Sequence, residues 1–449
     1  MIAVETRNLT LSTLSFGVCF AVWSIFSIIG IEIKQDLGLN ETEFGLLIAT
    51  PILTGSLTRI FLGIWADQYG GRSVFFAVMV LTAIATWMLS MASTYPMFLL
   101  SALGVGLAGG SFAVGITFVS CWYGKDRQGM MLGIFGMGNA GAAVTNFCAP
   151  FLLVAYGWDN VAKIYSVALV VMAVIFWIFT QDDPKTLACK EMGRQKRSLL
   201  TQLEPLKNLQ VWRFSTYYFF VFGAFVALAL WLPRYYMGVY DLDIEVAGML
   251  AAAYALPGSI FRAFGGWLSD KIGARRVMYG CFISSLLCLL FLSYPATDYI
   301  VHGIEGPIKF TIATGLVQFV ILTVVLGFFM SLGMAAVFKH IPVYFPDHVG
   351  SVGGLVGMVG GLGGFVLPIL FGLMNDIIGI WTSCFMLLFV LVSISLTWMH
   401  ISITYSDRKR CPQLRTHRAL PETLYRIGEL KLGDTKLHYS NDSEHRKKD

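Results

Sequence analysis

Twelve apolar runs, each close to the roughly 20 residues that carry an α-helix through a bilayer core, leave this chain few folds to choose from. Hydrocarbon offers no water to backbone N–H and C=O groups, so each run must close its hydrogen bonds within itself or within a barrel. The runs are too long for barrel strands, and the loops between them are short. The sequence therefore predicts an all-α membrane protein of twelve transmembrane helices. Composition agrees, with 56% of the 449 residues hydrophobic and 13% charged, against about 25% charged in soluble domains. The first run, Leu11–Ile31, has full spanning length and no small-residue cleavage site, and reads as a retained helix. The tenth, expected at Phe310–Phe338, is longer than a perpendicular crossing needs.

Lysine and arginine in the short loops predict the orientation. Arg72, then Lys125 and Arg127, then Lys271, Arg275 and Arg276 fall on one side. Glu32, Asp36, Glu41 and Glu43, then Asp241, Asp243 and Glu245, fall on the other. Both termini are thus expected in the cytoplasm, with the chain multi-pass in the cell inner (plasma) membrane. A polar central loop at residues 181–210 separates an N-terminal six-helix bundle (1–180) from a C-terminal one (211–403). A basic cytoplasmic tail, 404–449, follows, of a kind that is solvated or meets lipid headgroups. The eight cysteines form no CxxC pair and read as small membrane hydrophobes and reduced thiols.

The two halves echo each other. GSLTRIFLGIWADQYGGRSV (Gly55–Val74) and GSIFRAFGGWLSDKIGARRV (Gly258–Val277) share a register offset of 203 positions, and YGKDRQG (Tyr123–Gly129) is echoed by YFPDHVG (Tyr344–Gly350). Two homologous halves in parallel repeat are the plan of a rocking transporter, with its site between them near the midplane. Each long echo sets an arginine, Arg59 or Arg262, eight residues before an aspartate, Asp67 or Asp270. Eight residues are about 12 Å of helix, and half the hydrocarbon thickness is about 15 Å, so both arginines start near the midplane. A single such arginine could snorkel or hold a structural ion pair. A matched pair with no carboxylate at its depth points instead to a substrate path, and two uncompensated cations call for an anionic substrate.

Glycines stud the fifth run at Gly133, Gly136, Gly138 and Gly141, and the eleventh at Gly357, Gly360, Gly361, Gly363 and Gly364. Small residues let helix backbones approach one another, and here they also imply a narrow cavity. Asn139 stands alone among the first set, able to donate to an anion or to bridge two helices. The GxGxxG matches at Gly104–Gly109 and Gly136–Gly141 lie inside spans with no preceding strand, so they do not indicate a dinucleotide site. Neither a phosphate-binding loop nor an HExxH motif occurs. The reading is of a non-enzyme with no cofactor, no metal and no nucleic-acid partner.

The loops DQYGGR, with Asp67 and Arg72, and DKIGAR, with Asp270 and Arg275, resemble the loop motif of the major facilitator superfamily, at both places where that fold has it. The segments GIFGMGNAGAAVTN and GLVGMVGGLGGFVLP resemble the two signature segments of the nitrate/nitrite porter family within it. That resemblance implies nitrate held between Arg59 and Arg262, with Asn139 donating. It also implies Tyr218 as a hydroxyl donor and Phe26, Phe112 and Phe222 as rings flanking a flat anion. Arginine suits such a ligand, since its planar fork pairs bidentately with oxyanions.

The expectation is a monomeric transporter of nitrate, with nitrite as a second substrate, working by alternating access in the lipid bilayer. A porter for another small anion, or a non-transporting anion receptor, is the alternative. A bare anion entering against about 150 mV faces about 3.5 kcal/mol, so uptake needs protons or exchange against nitrite. The missing carboxylates favour exchange. Lys339, in AVFKHIPVYFP, is a candidate coupling residue if desolvated, and the resemblance of this segment to the proton-symport branch of the family tips the expectation to nitrate/proton symport.

Overall fold

The computed structural model describes residues 4–123, 125–182, 208–304, 306–344 and 349–410. Twelve helices there are long and apolar enough to cross a membrane. They are α1 (Val4–Leu37), α2 (Glu41–Tyr69), α3 (Gly71–Leu89), α4 (Tyr95–Val119), α5 (Met130–Tyr156), α6 (Trp158–Phe179), α7 (Leu209–Tyr240), α8 (Ile244–Ile272), α9 (Ala274–Leu292), α10 (Leu316–Tyr344), α11 (Val349–Ile378) and α12 (Ser383–Arg410). One compact body runs to Met399 and a separate unit starts at His400. Most of the central loop and the tail beyond Arg410 lie outside the described residues.

Local chemistry sets the helix ends. Asn40 caps α2 by accepting from the Glu43 N–H at 2.7 Å while the Glu43 carboxylate accepts from the Asn40 N–H at 3.0 Å, a reciprocal capping box. Five hydroxyls inside the spans, those of Ser12, Thr50, Thr58, Thr86 and Ser259, donate to the carbonyl four residues back and are thereby satisfied within their own helices. Gly70 ends α2 at φ 92° and ψ 134°, and Gly273 ends α8 at φ 90° and ψ 133°. These glycines stand 203 positions apart, so the repeat extends to backbone torsions that only glycine adopts without strain.

The two halves meet along α2 with α11 and along α5 with α8. A Cβ added at Gly45 would lie 2.5 Å from the Pro368 carbonyl oxygen, and one at Gly248 would lie 2.3 Å from that of Asn146. Asn146 itself links three helices, accepting from Ser27 at 2.9 Å and donating to the Ala229 carbonyl at 3.1 Å.

Five spans depart from regular α geometry. α1 breaks at Ser24–Ile25, α4 at Gly106 and α8 at Phe261, where ψ is 0°. A 3-10 turn interrupts α5 at Met137–Ala140, and a π turn interrupts α7 at Phe219–Ala224. Such interruptions concentrate at functional sites, and in transporters they are buried around the substrate path.

Two expectations about the spans change. α1 begins at Val4 and is longer than the apolar run, because polar residues Asn8 and Ser12 are buried inside the bundle. α10 begins at Leu316, because the chain before it forms a hairpin of β1 (Thr297–Gly303) with β2 (Gly306–Ile312), Tyr299 stacked on Phe310 at 5.5 Å. Alternating side chains and two glycines at the turn make this segment a strand pair rather than the start of a helix.

Gly141 separates tight packing from open space. A Cβ there would meet the Gly17 carbonyl oxygen at 2.0 Å, whereas one at Gly354 meets nothing within 4 Å. Gly141→Ala is expected to cost about 1–3 kcal/mol through overpacking against backbone, seen as a lower Tm of the purified protein in detergent. Gly354→Ala, inside a helix and with open space for the methyl, is expected to keep or raise the Tm, and equal Tm values for the two variants would contradict this packing.

Candidate functional site

The breaks in the spans surround the two arginines. Arg59 rises from the middle of α2, and Arg262 is the first residue after the break in α8; they are 2% and 4% exposed. Arg59 Nε donates to the Gly109 carbonyl at 3.2 Å and Nη1 to the Gly357 carbonyl at 2.8 Å. Arg262 Nη2 donates to the Tyr218 hydroxyl at 3.3 Å, and its Nη1 is buried with no partner among the described residues. No carboxylate among the described residues pairs with either guanidinium.

Aromatic faces take the place of counterions. The Phe112 ring is shared, with the Cζ of each arginine 5.3 Å from its centroid. Arg59 also lies over Phe222 at 5.2 Å and Trp23 at 5.7 Å, and Arg262 over Phe338 at 5.9 Å. Tyr218 stacks on Phe222 at 5.0 Å and meets the edge of Phe338 at the same distance. Ring quadrupoles hold buried cations in place without neutralising them, so the positive charge stays available.

The signature glycines make room for these groups. A Cβ at Gly136 would lie 3.1 Å from the Arg262 side chain, one at Gly360 2.2 Å from the Tyr218 ring, and one at Gly361 2.3 Å from Ser56 and 3.3 Å from Arg59. Gly357 lends its carbonyl to Arg59, Gly138 faces Phe16, Gly133 faces Ala263, Gly363 faces Phe219, and Gly364 faces Ile52 and Val226. Asn139 sits in the 3-10 turn, fully buried, and neither its Nδ2 nor its Oδ1 has a partner among the described residues. Buried polar atoms are nearly always hydrogen-bonded, so this amide is a candidate to meet a ligand.

Of the residues singled out from sequence, Arg59, Arg262, Tyr218, Phe112 and Phe222 come together, flanked by the glycines. Phe26 is buried, but the ring that α1 places over Arg59 is Trp23, three residues earlier. The break at Ser24–Ile25 falls between the two. Phe338 was not foreseen either; its neighbour Lys339 drew notice, yet adjacent residues on a helix point about 100° apart.

Lys339 ion-pairs with Asp270 of the DKIGAR loop, and both side chains are nearly half exposed. The condition for a coupling role, desolvation, is not met by this ammonium. Arg72 donates to the Trp177 carbonyl at 2.5 Å and stacks over that indole at 4.4 Å, while Arg275 donates to the Tyr344 hydroxyl at 3.4 Å. The loop motifs thus fasten helix ends within each half. Asp67 closes α2, with its side chain outside the described residues.

A twelve-helix body whose halves share one charged, ring-lined site defines a secondary transporter by its fold, and the description Major Facilitator Superfamily matches residues 11–306 and 240–431. The fold is like that of a bacterial homolog of the human lysosomal transporter Spinster, crystallised inward-facing and unoccupied, with a TM-score of 0.67 at 15% identity over 92% of this chain and 100% of that one. A "Probable nitrate/nitrite antiporter NarK1" of Thermus thermophilus is 43% identical over 412 residues, 88% of this chain and 91% of the relative. A "Nitrite extrusion protein" of Bacillus subtilis (strain 168) is 30% identical over 91% of this chain and 98% of its own length. The "Probable nitrate transporter NarT" of Staphylococcus epidermidis is 30% identical over 88% of this chain and 96% of its own length. The chain belongs to the nitrate/nitrite porter family of the major facilitator superfamily.

Asn139 separates a binding role from a structural one. Replacing a buried but unpaired amide removes a desolvation penalty, so Asn139→Ala is expected to keep or raise the Tm without anion while losing the rise in Tm that nitrate gives. A lower anion-free Tm would mean that the amide holds helices together.

Proposed function

We propose that this chain transports nitrate, and nitrite as a second substrate, across the inner (plasma) membrane by alternating access, with both termini cytoplasmic and the monomer as the working unit. The halves 1–180 and 211–403 rock about the site, joined by the loop 181–210, and the tail 404–449 lies on the cytoplasmic side. The observation that carries this reading is the pair of buried guanidiniums sharing the Phe112 ring, with no carboxylate among the described residues paired to either. A planar oxyanion supplies the missing charge, pairs with the planar forks and lies flat among Phe112, Phe222, Tyr218 and Phe338. A slot between rings suits a flat ion better than tetrahedral phosphate or sulfate.

The geometry favours exchange of nitrate against nitrite as the coupling. Proton symport needs a titrating carrier, and Lys339 is exposed and engaged by Asp270. Arg59 donates to the Gly357 carbonyl of the opposite half, a tie between the halves that a bound anion would compete for, which supports a carrier that turns over loaded. The resemblance of AVFKHIPVYFP (Ala336–Pro346) to the proton-symport branch of the family keeps symport as the second reading.

Two measurements test this. Arg59→Lys and Arg262→Lys keep the charge but lose the bidentate fork, a loss of about 1.5–3 kcal/mol. Nitrate affinity is expected to fall roughly tenfold to a hundredfold, and wild-type flux in either variant would make that arginine structural. In proteoliposomes, labelled nitrate is expected to enter quickly only when nitrite or nitrate is loaded inside. Uncoupler-sensitive accumulation in empty vesicles under an inward proton gradient would instead establish symport.

A further inference from the structure

The acidic ends of the helices hold a second group built on the same chemistry. Arg234 lies on α7 twelve residues beyond Phe222, about 18 Å along the helix. Its Nη2 donates to Glu41 Oε1 at 2.6 Å, and Lys34 Nζ reaches the same oxygen at 3.2 Å. The guanidinium lies over the Trp381 ring at 5.0 Å. Arg234 Nε and Glu41 Oε2 are buried without a partner among the described residues. Asp376, also at this end, is committed elsewhere: it accepts the Thr42 N–H at 2.9 Å and the Thr42 hydroxyl at the N-terminus of α2.

The occupant of this group is informative. A carboxylate is a planar, delocalised anion with two equivalent oxygens, matching nitrite in charge and shape and differing from nitrate by one oxygen. A guanidinium lying over an aromatic ring is also the arrangement at Arg59 and Arg262. We propose that Arg234 on Trp381 is an entrance site for a planar oxyanion, filled by the Glu41 carboxylate while this end of the transporter is closed.

The inference rests on the reading of the cargo as a small planar anion and adds where that anion is first bound. Lys34 and Glu41 belong to the N-terminal half, Arg234 and Trp381 to the C-terminal half. When the halves part at this end, Lys34 keeps Glu41 and Arg234 is left with a bare charge, which an arriving anion satisfies. The ion then compensates for the broken pair, so opening is favoured when there is an anion to admit. A gate made only of apolar contacts would have no such dependence.

The test is equilibrium binding of labelled nitrate to the full-length protein in nanodiscs at low ionic strength, with flux measured in parallel. Wild type is expected to bind one nitrate per chain. Glu41→Gln, which empties the group, is expected to bind a second, at least tenfold weaker and lost in high salt, and Glu41→Gln/Arg234→Gln is expected to bind one again. Arg234→Gln alone is expected to raise the external half-saturating nitrate concentration at least tenfold and to change the affinity of the central site less than twofold. Should Arg234→Gln fold poorly, Arg234→Lys is expected to raise half-saturation at least threefold. One nitrate per chain in Glu41→Gln, or unchanged half-saturation in a folded Arg234 variant, overturns the entrance site and leaves the central one standing. No nitrate bound by wild type overturns both.

Discussion

Two guanidiniums buried side by side in a low-dielectric body are the costly element of this structure, and much of its irregularity serves to hold them. A buried ion without a partner is penalised by several kcal/mol, and two like charges add their repulsion. No carboxylate among the described residues relieves this. Instead the faces of Trp23, Phe112, Phe222 and Phe338 and the carbonyls of Gly109 and Gly357 share the charge without cancelling it.

The interrupted helices follow from the same demand. Helix carbonyls already accept one bond internally, and a second donor reaches them where a glycine leaves the backbone bare, as at Gly357 in the uninterrupted α11. Breaks in α4 at Gly106 and in α8 at Phe261 bring backbone and a first-turn arginine into the site, and the π turn in α7 falls where Phe222 meets Arg59. Glycines then let α5 and α11 close on these groups, as at Gly136 against Arg262 and Gly360 against Tyr218. Chain geometry and charge placement are one problem solved together.

Much of this was legible in the residues. Apolar runs of spanning length gave the twelve helices, and the repeated Arg–Asp register marked Arg59 and Arg262, because a charge in oil is rare enough to be read without neighbours. The glycines marked close approach. What stayed hidden depended on rotation about helix axes and on partners far along the chain. Trp23 takes the place expected of Phe26 just before a break that leaves no composition signal, and Phe338 is one more phenylalanine among 34. The pairing of Lys339 with Asp270 joins residues 69 positions apart, and the second strand of the hairpin before α10 ends in Phe310–Ile312, apolar residues that continue into the span.

The repeat is symmetric in sequence and unequal in wiring. Arg262 keeps Nη1 unengaged among the described residues, whereas Arg59 is tied at two nitrogens to carbonyls of α4 and α11. Any ligand that draws Arg59 off those oxygens competes with acceptors held permanently within reach. On the transport reading proposed above, those carbonyls compete with the cargo for one guanidinium and leave the other, Arg262, freer to hold it. A carrier must let go as reliably as it holds, and backbone oxygens within reach of Arg59 set a limit on how tightly it can hold.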